Sequence, residues 1–533
     1  MKKYALLIIA LLLGAFLRFY EVGSIPNALT WDETALGYNA FSIFKTGKDE
    51  FGKFMPIVFK SFGDYKPGLY IYLAIPSIAI FGLTEFAVRL PGILFGILAI
   101  FGVFLLVREL FEDEKRKTLL AQFAALSLAI MPLHIHFSRG AWETNVFSTM
   151  LLFSIYFLVC FVKSGKFLNY SIVLALLTLI TYQAAKVLTP LLIIFIIILY
   201  FRPFLSRLDH YRKNRVNRAV IAFSAAFILV LFISSVRGDA GNRLKRLSIF
   251  SYQPEITSSI FHNKPQLMVR LIAGRYLNHL SPKLLFYEGI TIYERGHFPG
   301  TGVLQPFDFI ALILGLAFLV KYTNKKITVL VIGLLLLAPI PGALTLSEYS
   351  TVRTLFMVIP LSIIVGTGFF YAFTIIKPLF ILISLLTLVS TIYMVDLLFV
   401  HANYKYAKEF QYGYREAVGF ISRFPNNKVV MTDVYGQPYI YYLFYTRFDP
   451  ATYQKQNEFI SGGLDVGRVS KVGKVEFHQF GLGDILTQPG TVFIGTVGNI
   501  QNEFDYTNPV VETFETISYP DGLAAFRIVK TKD

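Results

Sequence analysis

Ala87-Val-Arg-Leu-Pro-Gly-Ile-Leu-Phe-Gly-Ile-Leu-Ala-Ile-Phe-Gly-Val-Phe-Leu-Leu-Val107 is a run of 21 residues that carries one charge, Arg89. About 20 apolar residues suffice to cross a bilayer as a helix. Comparable runs recur at 4–17, 118–133, 144–162, 169–182, 187–201, 219–236, 306–320, 327–340, 354–372 and 378–400. The chain of 533 residues is 55% hydrophobic and only 16% charged, with a mean hydropathy of +0.56. A soluble domain usually has about 25% charged residues. These values exclude a disordered chain, a collagen-like repeat and an ordinary cytosolic enzyme. The 52 Phe and 31 Tyr suit a protein whose aromatic rings sit at lipid interfaces. A lone cysteine, Cys160, rules out a disulfide scaffold and a Cys-based metal cluster. It lies inside the apolar run Leu151–Val162 and reads as a small core residue.

The net charge of +16 (50 Lys/Arg against 34 Asp/Glu) would suggest nucleic acid in a soluble protein. Here the excess lies in short loops between apolar runs, so it reports orientation and not a nucleic-acid partner. Arg202, Arg207, Arg212, Lys213, Arg215 and Arg218 face one acid, Asp209, in what reads as a cytoplasmic loop. Lys163/Lys166, Lys321/Lys325/Lys326 and the Arg108–Lys117 turn mark the same side. Met1-Lys-Lys3 precedes the first run without a small-residue cleavage site, which predicts an uncleaved first span. The predicted fold is an all-α polytopic membrane protein of about 11 spans, amino end cytoplasmic, in the cell (inner, cytoplasmic) membrane. The loops 21–86, 134–143, 182–186, 237–305 and 341–353 then fall outside. This count holds if Leu69–Leu83, preceded by Pro67 and interrupted by Pro76, is a re-entrant or interfacial piece. The competing reading is a twelfth crossing.

Residues 1–400 thus read as a transmembrane module, and 401–533 as a small α/β extracytoplasmic domain. The latter has 13 Lys/Arg against 14 Asp/Glu and no long apolar run. Lys428–Asp433 and Val492–Thr496 predict buried strands, Tyr404–Phe424 a helix, and Ile517–Val529 a hairpin about Pro520-Asp521-Gly522.

Polar groups at span ends are costly and usually serve a purpose. Nearly all the unusual ones fall outside. Asp32 and Glu33 follow Trp31 near the lipid boundary. Desolvation and mutual repulsion would raise the pKa of such a pair and let one member take a proton. The alternative is a helix N-terminal acid pair favoured by the dipole. Asp64 and Lys66 flank Tyr65, and Lys66 is either a snorkelling anchor or a phosphate ligand. Arg89 opens the next span, Arg139 and Glu143 share one loop, Tyr182 and Lys186 another, and Arg353 closes a third. Five cations, Lys66, Arg89, Arg139, Lys186 and Arg353, therefore share the outer face with the acids, against the bias that puts anchoring cations inside. They are expected to share one pocket. His134 and His136 beside Glu143 could hold a divalent metal, although such histidines are more often structural. No cofactor is firmly predicted.

Arg18, Asp32-Glu33, Gly63-Asp-Tyr-Lys-Pro67, Phe81-Gly82 and Val88-Arg-Leu-Pro91 resemble the first outer loop of the type C (GT-C) glycosyltransferases. The resemblance is to the protein O-mannosyltransferase and aminoarabinose transferase branch. It extends through Ser138-Arg139 with Glu143, Tyr182 to Lys186, and Pro341–Thr345 with Arg353, and covers roughly residues 1–400. It implies a polyprenyl- or dolichyl-phosphate sugar donor, inversion at the anomeric carbon, and a site facing away from the cytosol. Asp32 would match the acid that deprotonates the acceptor hydroxyl, and Glu33 its companion. Lys66 would match a cation near the donor phosphate, Asp64 the loop's second acid, and Arg89 the arginine entering the next span. In the mannosyl branch a His-Pro-Pro run replaces Tyr65-Lys-Pro67, so the acceptor class stays open between a protein and an envelope glycan or lipid.

Rival readings are a ligase or polymerase of lipid-linked glycans, a transporter or flippase, and a non-enzymatic sensor. Transporters often show repeated halves and charges near the midplane, and neither is found. A ligase would use the outer loop 237–305 with Arg275, His279, Arg295 and His297. That loop is expected to fold over the cavity and to be partly mobile without lipid.

Overall fold

The computed structural model describes residues 2–237, 248–251, 263–288, 300–456, 458–462, 467–501 and 507–533. Parts of the 237–305 loop, with Arg295 and His297, lie outside them. The chain divides into two compact units. The first is Met1–Tyr20 with Gly92–Leu397, and the second is Glu21–Pro91 with Leu398–Asp533. This division differs from the expected 1–400 and 401–533, because the first outer loop packs with the carboxyl-terminal segment.

The first unit is helical. Every expected apolar run falls on a helix, from Ala5–Phe19 to Lys377–Asp396. Their core is Leu, Ile, Val, Phe and Ala, from Leu7 through Ile383. Among the described residues, five helices are long and apolar enough to cross a membrane, or up to seven if each of two bent pairs is one span. The expected eleven is therefore not reached on length alone. Leu168–Leu179, with 12 residues, is only about 18 Å long at 1.5 Å per residue.

The basic stretch expected as a loop is itself largely helical. Phe201–Tyr211 turns by 99° from Ala185–Leu199, and Arg215–Arg237 follows. Phe201, Phe204, Leu205 and Leu208 recur at helical spacing, and Phe204 and Leu208 pack on the core while the arginines stay exposed. That pattern makes an amphipathic helix out of a charge-rich segment. In the loop 237–305, Lys264–His279 is also helical, started by Asn263, whose side chain accepts from the Gln266 amide.

Two helices of this unit approach closely. A Cβ at Gly315 of Asp308–Tyr322 would lie 1.9 Å from the Ile364 carbonyl oxygen, and one at Gly368 of Val358–Ile375 would lie 1.8 Å from that of Ala311. Small residues permit such backbone contact between spans.

The second unit is mixed. Helix α1 (Trp31–Thr46) packs against α2 (Pro438–Tyr445), where Gly37 leaves room for the Phe444 ring. Strands β1 (Val58–Ser61) and β2 (Asp64–Pro67) pair through the two-residue turn Phe62-Gly63, both at positive φ. Two successive left-handed residues suit the right-handed twist of a hairpin. Leu69–Phe81 forms a 13-residue helix containing Pro76. It is about 20 Å long, short of the roughly 30 Å hydrocarbon thickness.

The expected strands are β3 (Val429–Met431) and β8 (Val492–Gly495), fully buried parallel neighbours. The expected hairpin is β9 (Val511–Ser518) with β10 (Ala524–Thr531). With β6 (Lys471–Val472) and β7 (Val475–Phe477) they form a six-stranded sheet of order β6-β7-β3-β8-β10-β9. Strands β4 (Phe459–Ser461) and β5 (Gly467–Val469) pair apart from it. The helix expected over Tyr404–Phe424 is broken into Ala402–Lys405 and Tyr414–Ile421. Gln411 and Gly413 between them have positive φ, which interrupts a right-handed helix.

The glycine contact is tested by Gly368→Leu. It should abolish a monodisperse folded species in size-exclusion chromatography. Gly274→Leu, where a Cβ meets nothing within 4 Å, should retain it.

Candidate active site

Helix α1 begins at Thr30, whose hydroxyl accepts from the Glu33 amide at 3.3 Å while the Glu33 carboxylate accepts from the Thr30 amide at 3.1 Å. This reciprocal capping box satisfies two donors that a helix start leaves orphaned. The other Glu33 oxygen accepts from Arg89 Nε at 3.1 Å, with both side chains essentially buried. Arg89 also donates to the carbonyls of Val22 (2.8 Å), Pro26 (3.0 Å) and Ala28 (2.6 Å). Glu33 therefore fixes a helix start, and Arg89 is committed to backbone oxygens.

Asp32, one residue earlier, points elsewhere. It is hydrogen-bonded to the Lys66 ammonium and its side chain is 43% exposed, against 3% for Glu33. Lys66 lies on β2 and stands 5.3 Å over the Phe62 ring. Asp64 is buried, with its carboxylate accepting from the Tyr65 amide at 2.6 Å. The amide of Trp31 donates to Gln411 Oε1 at 2.9 Å, and Tyr441 donates to the same oxygen at 2.7 Å. The carboxyl-terminal segment thus helps hold the start of α1.

Sequence reasoning did not single out Glu50. It is fully buried and accepts from Asn39 Nδ2 at 3.0 Å and from the Tyr439 hydroxyl at 3.4 Å. Burial pushes its carboxyl up to about 8, against the hydrogen bond from Asn39. Asp49 beside it ties the turn, accepting from the Phe51 and Lys53 amides. Lys48-Asp-Glu50 reads as a solvated turn in sequence; an aromatic residue and a glycine directly after it were the available signal.

The other expected residues belong to the first unit. Arg139 is buried and donates to the carbonyls of Leu17 and Tyr20, both at 2.9 Å. Glu143 opens the helix Glu143–Ser164. Burial pushes the Tyr182 hydroxyl up to about 12, with Arg353 opposing and Glu143 reinforcing the shift, so these three lie within electrostatic reach. Lys186 sits in the first turn of Ala185–Leu199. Arg353 donates to the Ser350 hydroxyl at 2.8 Å, and the Ser350 amide donates to His279 Nε2 at 3.0 Å. The five cations expected to share a pocket divide between the units, Lys66 and Arg89 in the second and Arg139, Lys186 and Arg353 in the first.

The metal reading of His134 and His136 meets an obstacle. His134 Nδ1 lies 2.7 Å from the Arg18 guanidinium, so that nitrogen is already an acceptor beside a cation. His136 packs against the rings of Phe137 and Trp142. Among the described residues no group of three or more His, Cys, Asp or Glu could hold a metal ion.

Residues 65–235 match the family described as dolichyl-phosphate-mannose-protein mannosyltransferase. This segment contains Lys66, Arg89, Arg139, Glu143, Tyr182 and Lys186, and begins after Asp32 and Glu33. No curated protein matches the chain in a sequence comparison. Among solved structures, ArnT from Cupriavidus metallidurans in the apo state has a TM-score of 0.51 at 12% identity, covering 98% of this chain and 96% of that one. The same protein bound to undecaprenyl phosphate has a TM-score of 0.53 at 11% identity, covering 98% and 97%. The archaeal oligosaccharyltransferase AglB from Archaeoglobus fulgidus has a TM-score of 0.49 at 13% identity, covering 84% and 64%. The matched segment covers about a third of the chain, and the likeness to the two ArnT structures is one of fold. Its apolar helices suit a membrane protein, as the shared fold requires.

Two measurements test the division of roles. Arg89→Met should destabilise the protein without donor by about 3–5 kcal/mol, as expected when a buried pair loses one partner. Lys66→Met should cost far less in the same unfolding assay. Glu50 binds its proton in the folded protein up to about pH 8 but in the unfolded chain only up to its ordinary 4.5. The stability it contributes is therefore full below about pH 4.5 and is lost as pH rises through about 8. Thermal midpoints of Glu50→Gln should decline less over that window than those of the wild type.

Proposed function

We propose that the enzyme transfers a monosaccharide from a polyprenyl- or dolichyl-phosphate donor to an acceptor hydroxyl, with inversion and with Asp32 as general base. The acceptor is a protein or an envelope glycan or lipid on the extracytoplasmic face of the cell membrane. This places the amino end in the cytoplasm, with eleven crossings and residues 401–533 outside. The observation that carries the reading is the contrast between the two adjacent acids. Glu33 is consumed by the cap and Arg89, whereas Asp32 is accessible and held by a lysine. The structural relative bound to undecaprenyl phosphate supports a lipid-phosphate donor.

The chemistry is a single displacement. Asp32 takes the proton of the acceptor hydroxyl as that oxygen bonds to the anomeric carbon. The bond from that carbon to the phosphate oxygen breaks, and the phosphate leaves with the electron pair. Negative charge thus grows on the leaving group, and Lys66 stabilises it there more strongly than it would in water. As the phosphate draws Lys66, the Asp32 carboxylate is released toward the acceptor. Lys186 and Arg353 are proposed as further donor-binding cations on their chemistry alone.

Asp32→Asn, assayed in purified membranes with a panel of polyprenyl-phosphate hexoses and pentoses, should reduce transfer about 10²- to 10⁴-fold, the usual contribution of a positioned base. Lys66→Met should weaken donor binding as well as turnover. Transfer by Asp32→Asn at the wild-type rate removes Asp32 from the role.

A further inference from the structure

The described groups around Glu50 come from five parts of the second unit. Helix α1 contributes Asn39, which binds the carboxyl, and Tyr38, whose hydroxyl feels its charge. Its own turn contributes Asp49, and β2 contributes Lys66, which favours the ionised form. Helix α2 contributes the Tyr439 hydroxyl, and the helix Pro450–Gln456 contributes Tyr453, with Asp449 just before it acting on Tyr38. The Tyr439 ring also packs edge-on against Phe62, the ring beneath the Lys66 ammonium. The carboxyl is therefore fixed by two neutral donors, and Lys66 is the cation that acts on it.

We infer that Glu50 is a positioning residue of the proposed transfer site, a second claimant on the ammonium that pairs with Asp32. While protonated it leaves Lys66 to Asp32 and to the leaving phosphate. Once ionised it becomes a buried anion and draws Lys66 toward itself, because a buried charge is costly until paired. Glu50 touches no substrate and acts through Lys66 alone. Its burial raises its pKa into the working range of an enzyme, where perturbed groups gather at functional sites. This inference rests on the proposed function for its activity readout, and a second readout stands apart from that.

The test uses the full chain in lipid nanodiscs and compares wild type, Glu50→Gln and Tyr439→Phe. In the wild type, the rate of transfer should fall about tenfold between pH 7 and about pH 9, the loss expected when a group titrating near 8 must be neutral. In Glu50→Gln the ratio of the two rates should approach one. Tyr439→Phe removes a donor to the ionised form, so its alkaline limb should move to higher pH. The reactivity of Lys66 toward an amine reagent, read by mass spectrometry without donor, should change through the same pH range in the wild type and not in Glu50→Gln. An identical alkaline limb in wild type and Glu50→Gln overturns the inference, and so does a Lys66 reactivity profile indifferent to Glu50. Full activity of Asp32→Asn would sink the base assignment, while the Lys66 labelling would still decide the role of Glu50. If Glu50→Gln does not fold, the direction of the Tyr439→Phe shift decides instead.

Discussion

The buried pair of Glu33 and Arg89 organises the first outer loop. A guanidinium taken out of water needs its donors satisfied, and Arg89 finds three carbonyls and one carboxylate within a few residues of one another. The carboxylate is shared with the cap of α1, so one side chain joins a loop to a helix start. Removing either partner leaves an uncompensated charge in a site that water does not reach. The direction of Asp32 follows, since its neighbour is fixed inward.

Two adjacent acids thus perform different work through environment alone. Glu33 is sealed and cannot meet a substrate. Asp32, on the next side of the same helical turn, keeps exposure and a lysine partner. Glu50 is a third condition of the carboxyl group, sealed without an adjacent guanidinium to neutralise it. Its partners Asn39 and Tyr439 are neutral, which is why burial, and not a charge, dominates its titration.

Much of this fold is legible in the residues. The apolar runs locate the helices, and Pro520-Asp521-Gly522 locates a hairpin because its turn chemistry is local. The breaks at Gln411 and Gly413 are less visible, since a left-handed glutamine has no sequence signature. The helical nature of Phe201–Tyr211 was masked by its arginines, although its apolar residues recur at helical spacing. For the site, sequence identifies the kinds of groups but not how they are spent. Nothing local says that the donors of Arg89 and Arg139 go to carbonyls while Lys66 goes to a carboxylate. Glu50 was illegible for the same reason: the tyrosine that buries it comes from 389 positions later.

That separation has a consequence for synthesis. At ribosomal speeds of about 5–20 residues per second, Tyr439 follows Glu50 out of the ribosome by roughly 20 to 80 s. Throughout that interval α1 lacks α2, and Gln411 is absent from the Trp31 amide. The nascent amino-terminal half therefore waits with an unfinished polar pocket until the last quarter of the chain has been made.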